Sequence, residues 1–81
     1  FNTDTFPEVF PSGVSVAMID GDPNTPSITR MGVLETRKAS SSKGSYITAV
    51  YQSFSPGYVS GTPGKIWYRQ ATSLTTWSAW W

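Results

Sequence analysis

The sequence predicts an all-β domain, a small antiparallel meander of about five short strands with a knob or sandwich-like arrangement. Three observations predict it. The apolar residues are six Val and four Ile against two Leu, with twelve aromatics making 15% of the chain. Branched and aromatic side chains suit a pleated surface, whereas strong helix formers are scarce here. Six Pro and seven Gly punctuate the chain at short intervals, as turns between strands require. Between them apolar and polar residues alternate with period two, and no stretch carries a helical period.

The elements follow in order. Residues 1–12 form an entry segment whose Phe1, Phe6 and Phe10 are expected to pack on the sheet or on a neighbouring chain. Residues 13–81 form the β-module. Residues 13–19 read as a strand with Val14, Val16 and Met18 on one face. Asp20 to Asn24 read as a turn. Its oxygens match the first positions of a calcium loop, but Thr25 and Met31 stand where that loop needs Gly and Glu, so no metal is expected. Residues 27–37 read as a second strand, with Ile28, Gly32 and Leu34 opposite Met31 and Val33. Residues 38–45, containing Lys43, are a polar loop. Residues 46–54 are the clearest strand: Tyr46, Thr48, Val50, Gln52 and Phe54 oppose Ile47, Ala49 and Tyr51. Residues 55–64, containing Tyr58, are a Gly/Pro/Ser loop. Residues 65–70 form a fourth strand, residues 71–76 turn, and residues 76–81 form a fifth.

Composition excludes several functions. There is no His and no Cys, hence no imidazole base, thiolate nucleophile, disulfide or usual zinc site. A net charge of +1 is too weak a footprint for nucleic acid or an anionic membrane surface. No apolar run approaches the ~18 residues of a membrane-spanning helix. The five carboxylates, Asp4, Glu8, Asp20, Asp22 and Glu35, show no pairing in sequence. No catalytic residue and no cofactor are expected. The chain lacks the basic start of a secretory leader and reads as a fragment or a processed piece.

Two segments carry recognition chemistry. In Lys65-Ile-Trp-Tyr-Arg69, Lys65, Trp67 and Arg69 point one way and Ile66 and Tyr68 the other. One reading buries Ile66 and Tyr68 and leaves Trp67 half-exposed between two cations. A second makes Trp67 and Arg69 a platform for a sugar ring or an anionic polymer, and a third makes them a subunit contact. The segment Thr76-Trp-Ser-Ala-Trp-Trp81 holds three indoles in five residues, with Trp77, Ala79 and Trp81 on one face and Trp80 with Ser78 on the other. So small a sheet cannot bury all three. Trp77, Trp80 and Trp81, with Phe6 and Phe10, are assigned to the core or to an interface.

The stretch from Gly64 to Trp80 resembles the end of a module found in bacteriophage tail fibres and related bacteriocin fibres, the pyocin-knob family. There a strand of the form Ile/Met-aromatic-aromatic-Arg is followed, after a short polar turn, by Trp-Ser-x-Trp. Upstream, Pro11-Ser-Gly-Val-Ser-Val resembles that family's opening strand, and residues 46–52 its middle strand carrying a Gln. The doubled Trp80-Trp81 departs from the pattern. The resemblance implies a homotrimer, exposed extracellularly on the virion as part of a tail fibre or receptor-binding protein. It implies attachment to host polysaccharide or a teichoic-acid-like glycan, with no nucleic acid and no membrane insertion. Trp67 and Arg69 are the first candidates for ligand contact, and Tyr58 and Lys43, in the long loops, the next. The alternatives are a purely structural trimerisation or spacer module of the fibre, or a carbohydrate-binding module of a secreted hydrolase.

Overall fold

The computed structural model describes residues 1–27, 30–41, 43–58 and 64–81. Four strands, β1 (Gly13–Asp20), β2 (Met31–Lys38), β3 (Val50–Pro56) and β4 (Trp67–Gln70), make one antiparallel sheet in the order β1-β2-β3-β4. Each neighbour in space is the neighbour in sequence, as short turns favour. Helical structure among the described residues is confined to two 3₁₀ turns, Pro7–Val9 and Gly44–Thr48.

The expected strands differ from these chiefly at three points, and the fourth, expected over 65–70, begins only at Trp67. The strand read over 46–54 begins only at Val50, because Gly44 at φ 57° starts a 3₁₀ turn that takes in Tyr46 and Thr48. The second strand runs from Met31 to Lys38, and Ile28 lies outside the described residues. The fifth strand is not a regular strand. Trp77 forms a single bridge to Ala71, Ser78 N–H donates to the Gln70 carbonyl at 2.7 Å, and Tyr68 and Trp81 exchange two backbone bonds of 3.0 and 2.9 Å. The Gln70 N–H donates instead to the Ser78 hydroxyl at 3.0 Å. A side chain thus replaces a rung, and residues 77–81 lie along β4 as an interrupted ribbon.

Register sorts the side chains into cross-strand rows. On the inner face one row is Ala17, Leu34, Phe54 and Trp67, and the next is Ser15, Thr36, Gln52 and Arg69. Ile19, Leu34 and Phe54 form the buried apolar cluster, with Ala17, Trp67 and Trp80 packed against it. Alternation places residue 32 on this face, opposite Ile19, and β3 passes too close there for a side chain. A Cβ there would meet the Ser55 carbonyl oxygen and stand 2.8 Å from Pro56 Cα.

The entry segment covers the other end of the inner face. Phe10, Pro7 and Thr3 are buried, while Phe6 is half-exposed. The Phe10 ring meets Phe1 at 4.6 Å and the edge of Trp77 at 6.2 Å between centroids. Lys38, at the end of β2, fastens the segment: its ammonium donates to the carbonyls of Pro7, Glu8 and Phe10 at 3.3, 3.1 and 2.8 Å. The 3₁₀ turn leaves those carbonyls without intrahelical partners, and a cation at a helix C-terminus satisfies them.

Candidate functional site

Pairing decides what β4 shows to solvent. Phe54 opposes Trp67 and Gln52 opposes Arg69, and opposite residues share a face. Since β3 buries Val50, Gln52 and Phe54, Trp67 and Arg69 go inward, and Ile66 and Tyr68 go outward. This reverses the reading in which Ile66 and Tyr68 face the core. The physical reason is area: an indole buries more apolar surface than Ile, and the period of two then carries Arg69 inside with Trp67.

Arg69 is 7% exposed, so it is not a surface contact for a ligand. Its Nε–H donates to Gln52 Oε1 at 2.7 Å and its Nη2–H to the Thr3 carbonyl at 2.8 Å. Gln52 Nε2 in turn donates to Thr36 Oγ1 at 3.0 Å. The guanidinium plane lies between two indoles, 4.4 Å from the centroid of Trp77 and 4.4 Å from that of Trp80. Both rings are anchored. Trp77 Nε1–H donates to the Thr5 carbonyl at 3.0 Å, and Trp80 meets Phe54 edge-on at 6.4 Å. Trp77 and Trp80 therefore turn to the same group, not to opposite faces as strict alternation requires, because the ribbon is interrupted at Ser78. Trp81 stays half-exposed.

Burial lowers the Arg69 pKa to about 10, against the field of Asp22 and Asp4. The group stays charged at neutral pH, balanced by hydrogen bonds, two π faces and two nearby carboxylates. Partial burial of Asp22 opposes its ionisation. Hydrogen bonds from the Thr3 hydroxyl, the Asn24 and Thr3 amides, and the Arg69 charge outweigh it and hold the carboxyl below its ordinary 3.8. This cluster locks the entry segment, the 20–24 turn and β4 together; its chemistry is structural.

The other candidates are dispersed. Trp67 packs inward, with the Lys65 ammonium 3.9 Å from its ring centroid. Lys43 is exposed before the second 3₁₀ turn, and Tyr58 is exposed beyond β3. Pairing brings neither of them beside Trp67.

What the sheet does present lies on its outer face, which no element of the described chain covers. A trough of about 480 Å³ is lined by Tyr51, Tyr68, Ile66, Ser53, Glu35 and Arg37. Ser53 faces Tyr68 across β3–β4, and Glu35 and Arg37 face Ser53 and Tyr51 across β2–β3. Tyr51 and Tyr68 are thus diagonal neighbours, roughly 7–8 Å apart. Both are about half-exposed. Arg37 Nε–H donates to Glu35 Oε1 at 2.9 Å, and Gln70 donates to the Tyr51 hydroxyl at 3.4 Å. Two phenol rings, hydroxyls, a carboxylate and a guanidinium on one open surface can stack on and hydrogen-bond a polyhydroxylated ligand. The alternation over 46–54 already set Tyr51 opposite Val50, Gln52 and Phe54; Tyr68 was hidden because its face depends on the β3 partner.

The fold and site define an all-β module with one packed face and one bare face. No family model matches the chain, and neither the curated proteins nor the solved structures contain a significant match.

Proposed function

We propose that the chain is a binding module of a virion attachment structure, a tail fibre or receptor-binding protein, that holds cell-surface glycan in the outer-face trough. One observation carries the reading: Tyr51 and Tyr68 share with Glu35, Arg37 and the Ser53 hydroxyl a surface that no part of the described chain covers. Saccharide C–H faces pack on aromatic rings, and hydroxyls bridge carboxylate and guanidinium. The resemblance of the C-terminal third to the pyocin-knob family supplies the setting: extracellular, on the virion. Binding, not catalysis, is its role, with no cofactor.

The test uses immobilised bacterial polysaccharides, lipopolysaccharide and teichoic acid, with the chain and its Tyr51→Ala, Tyr68→Ala and Glu35→Gln variants. These side chains line the open trough, so the variants are expected to fold. A glycan retained by the parent and lost tenfold or more by both tyrosine variants is the expected result. Retention by every variant refutes the trough. Absence of binding to any of the polysaccharides favours the second reading, a spacer without a ligand, which the uncovered β1 edge supports. Trp67→Ala and Arg69→Ala are unsuitable probes because both side chains hold the fold.

A further inference from the structure

The two edges of this sheet are unlike. Residues 77–81 run along β4 and satisfy its outer backbone groups, whereas β1 has no such cover among the described residues. Its pairing with β2 fixes which groups are free. Gly21 N–H donates to the Arg30 carbonyl, so in the antiparallel ladder the odd residues of β1 bond to β2. The N–H and C=O of Val14, Val16, Met18 and Asp20 then point outward. The side chains of these four share the outer face, with Val14 and Val16 63% and Met18 90% exposed. No Pro, Lys or Arg interrupts β1, although charge and proline are the usual guards of a free edge.

We propose that β1 pairs antiparallel with β1 of a second copy of this chain, joining two four-stranded sheets into one of eight. In a single chain β1 is the free edge, so edge pairing between copies is β1 with β1 and closes as a twofold dimer. The register is fixed by the outward groups and by charge. Setting Val16 against Met18 of the second copy, and Val14 against its Asp20, pairs all four outward residues. It builds a continuous Val14, Val16 and Met18 stripe from both copies. It also brings Asp20 of the second copy level with Arg37, which lies one strand further along the same row as Val14. Arg37 then has Glu35 on its own strand and Asp20 of the second copy beyond Val14, and symmetry makes this contact twice. A shift by two residues loses one hydrogen-bonded pair: in one direction it strands Asp20, in the other it strands Val14 and sets Asp20 level with Glu35, a like charge. The twofold axis stands perpendicular to the sheet, so both troughs open on the same side, about 24 Å apart at five strand spacings. On the trough reading above, such a pair would bind polysaccharide bivalently. The pairing itself does not depend on that reading.

Sedimentation velocity of the chain across a concentration series tests it, with circular dichroism to confirm that each variant folds. A strand-edge contact lies at the small end of stable interfaces, so a dimer that grows with concentration is expected. Val16→Lys, which places a charge on the exposed stripe, should weaken it more than tenfold. Asp20→Arg should weaken it similarly, and the double exchange Asp20→Arg with Arg37→Asp should restore it to within threefold of the parent. A monomer at every concentration, a trimer, a dimer that tolerates Val16→Lys, or failure of the double exchange to restore it overturns the proposal.

Discussion

Replacing Arg69 by Met removes a buried charge from the inner face and keeps a side chain of similar reach. Two buried acceptors lose their donor, Gln52 Oε1 at 2.7 Å and the Thr3 carbonyl at 2.8 Å. Each unsatisfied buried acceptor costs about 1–3 kcal/mol. Contacts with the faces of Trp77 and Trp80 add about 0.5–2 kcal/mol each. Release from burial of the charge, which lowers its pKa to about 10, offsets part of the loss. A net destabilisation of about 3–4 kcal/mol is expected, within the range found when one partner of a buried charged network is removed. A domain of this size has about 4–12 kcal/mol in all, so the variant should be folded only marginally. Urea unfolding followed by Trp fluorescence reads the change, the midpoint falling by about 2 M or more. Adding Gln52→Leu should make the double variant at least about 1 kcal/mol more stable than the sum of the two single losses, because the acceptor left bare is removed. A loss below about 1 kcal/mol for Arg69→Met, or strict additivity with Gln52→Leu, would refute the account of the cluster.

Further expectations follow from single residues. Ser15 Oγ is buried and has no hydrogen-bond partner among the described residues, so Ser15→Ala should leave stability unchanged or raise it by about 1 kcal/mol in urea unfolding. Gly32→Ala forces a methyl onto the β3 backbone and should cost about 1–3 kcal/mol by the same measurement. Lys38→Met removes three bonds from one ammonium to the entry segment; limited proteolysis should then cut within residues 1–12 well before the sheet. Asp22, with its pKa held below 3.8, binds protons more weakly folded than unfolded. The stability it contributes is complete above about pH 4 and is lost as pH falls through its folded value. Acid titration of the parent against Asp22→Asn should show that part of the loss only in the parent.

Much of the sheet was legible in the chain. The turn after β1, expected from Asp20 to Asn24 though Asp20 itself ends the strand, and the alternations at Val14, Val16 and Met18 and at Val50, Gln52 and Phe54 are local signals. The trough and the charged cluster were not. Tyr68 and Arg69 sit beside each other in a run whose two faces are nearly matched in apolar character, and no local rule ranks them. Lys38 and Thr3 are too far apart in the sequence, respectively, from the carbonyls and the guanidinium they serve to be read as their partners.

Composition and the period of two were sufficient to make this chain a sheet and to divide each strand into two faces, because backbone geometry alone sets that alternation. Which face lies inside was a collective decision. Pairing of β4 with β3 placed Trp67 against Phe54, the entry segment and the Trp77–Trp80 ribbon covered that side, and Arg69 was carried inward between them. The opposite face, with its tyrosines and the bare edge of β1, was left to solvent because the described chain has no further layer to lay over it.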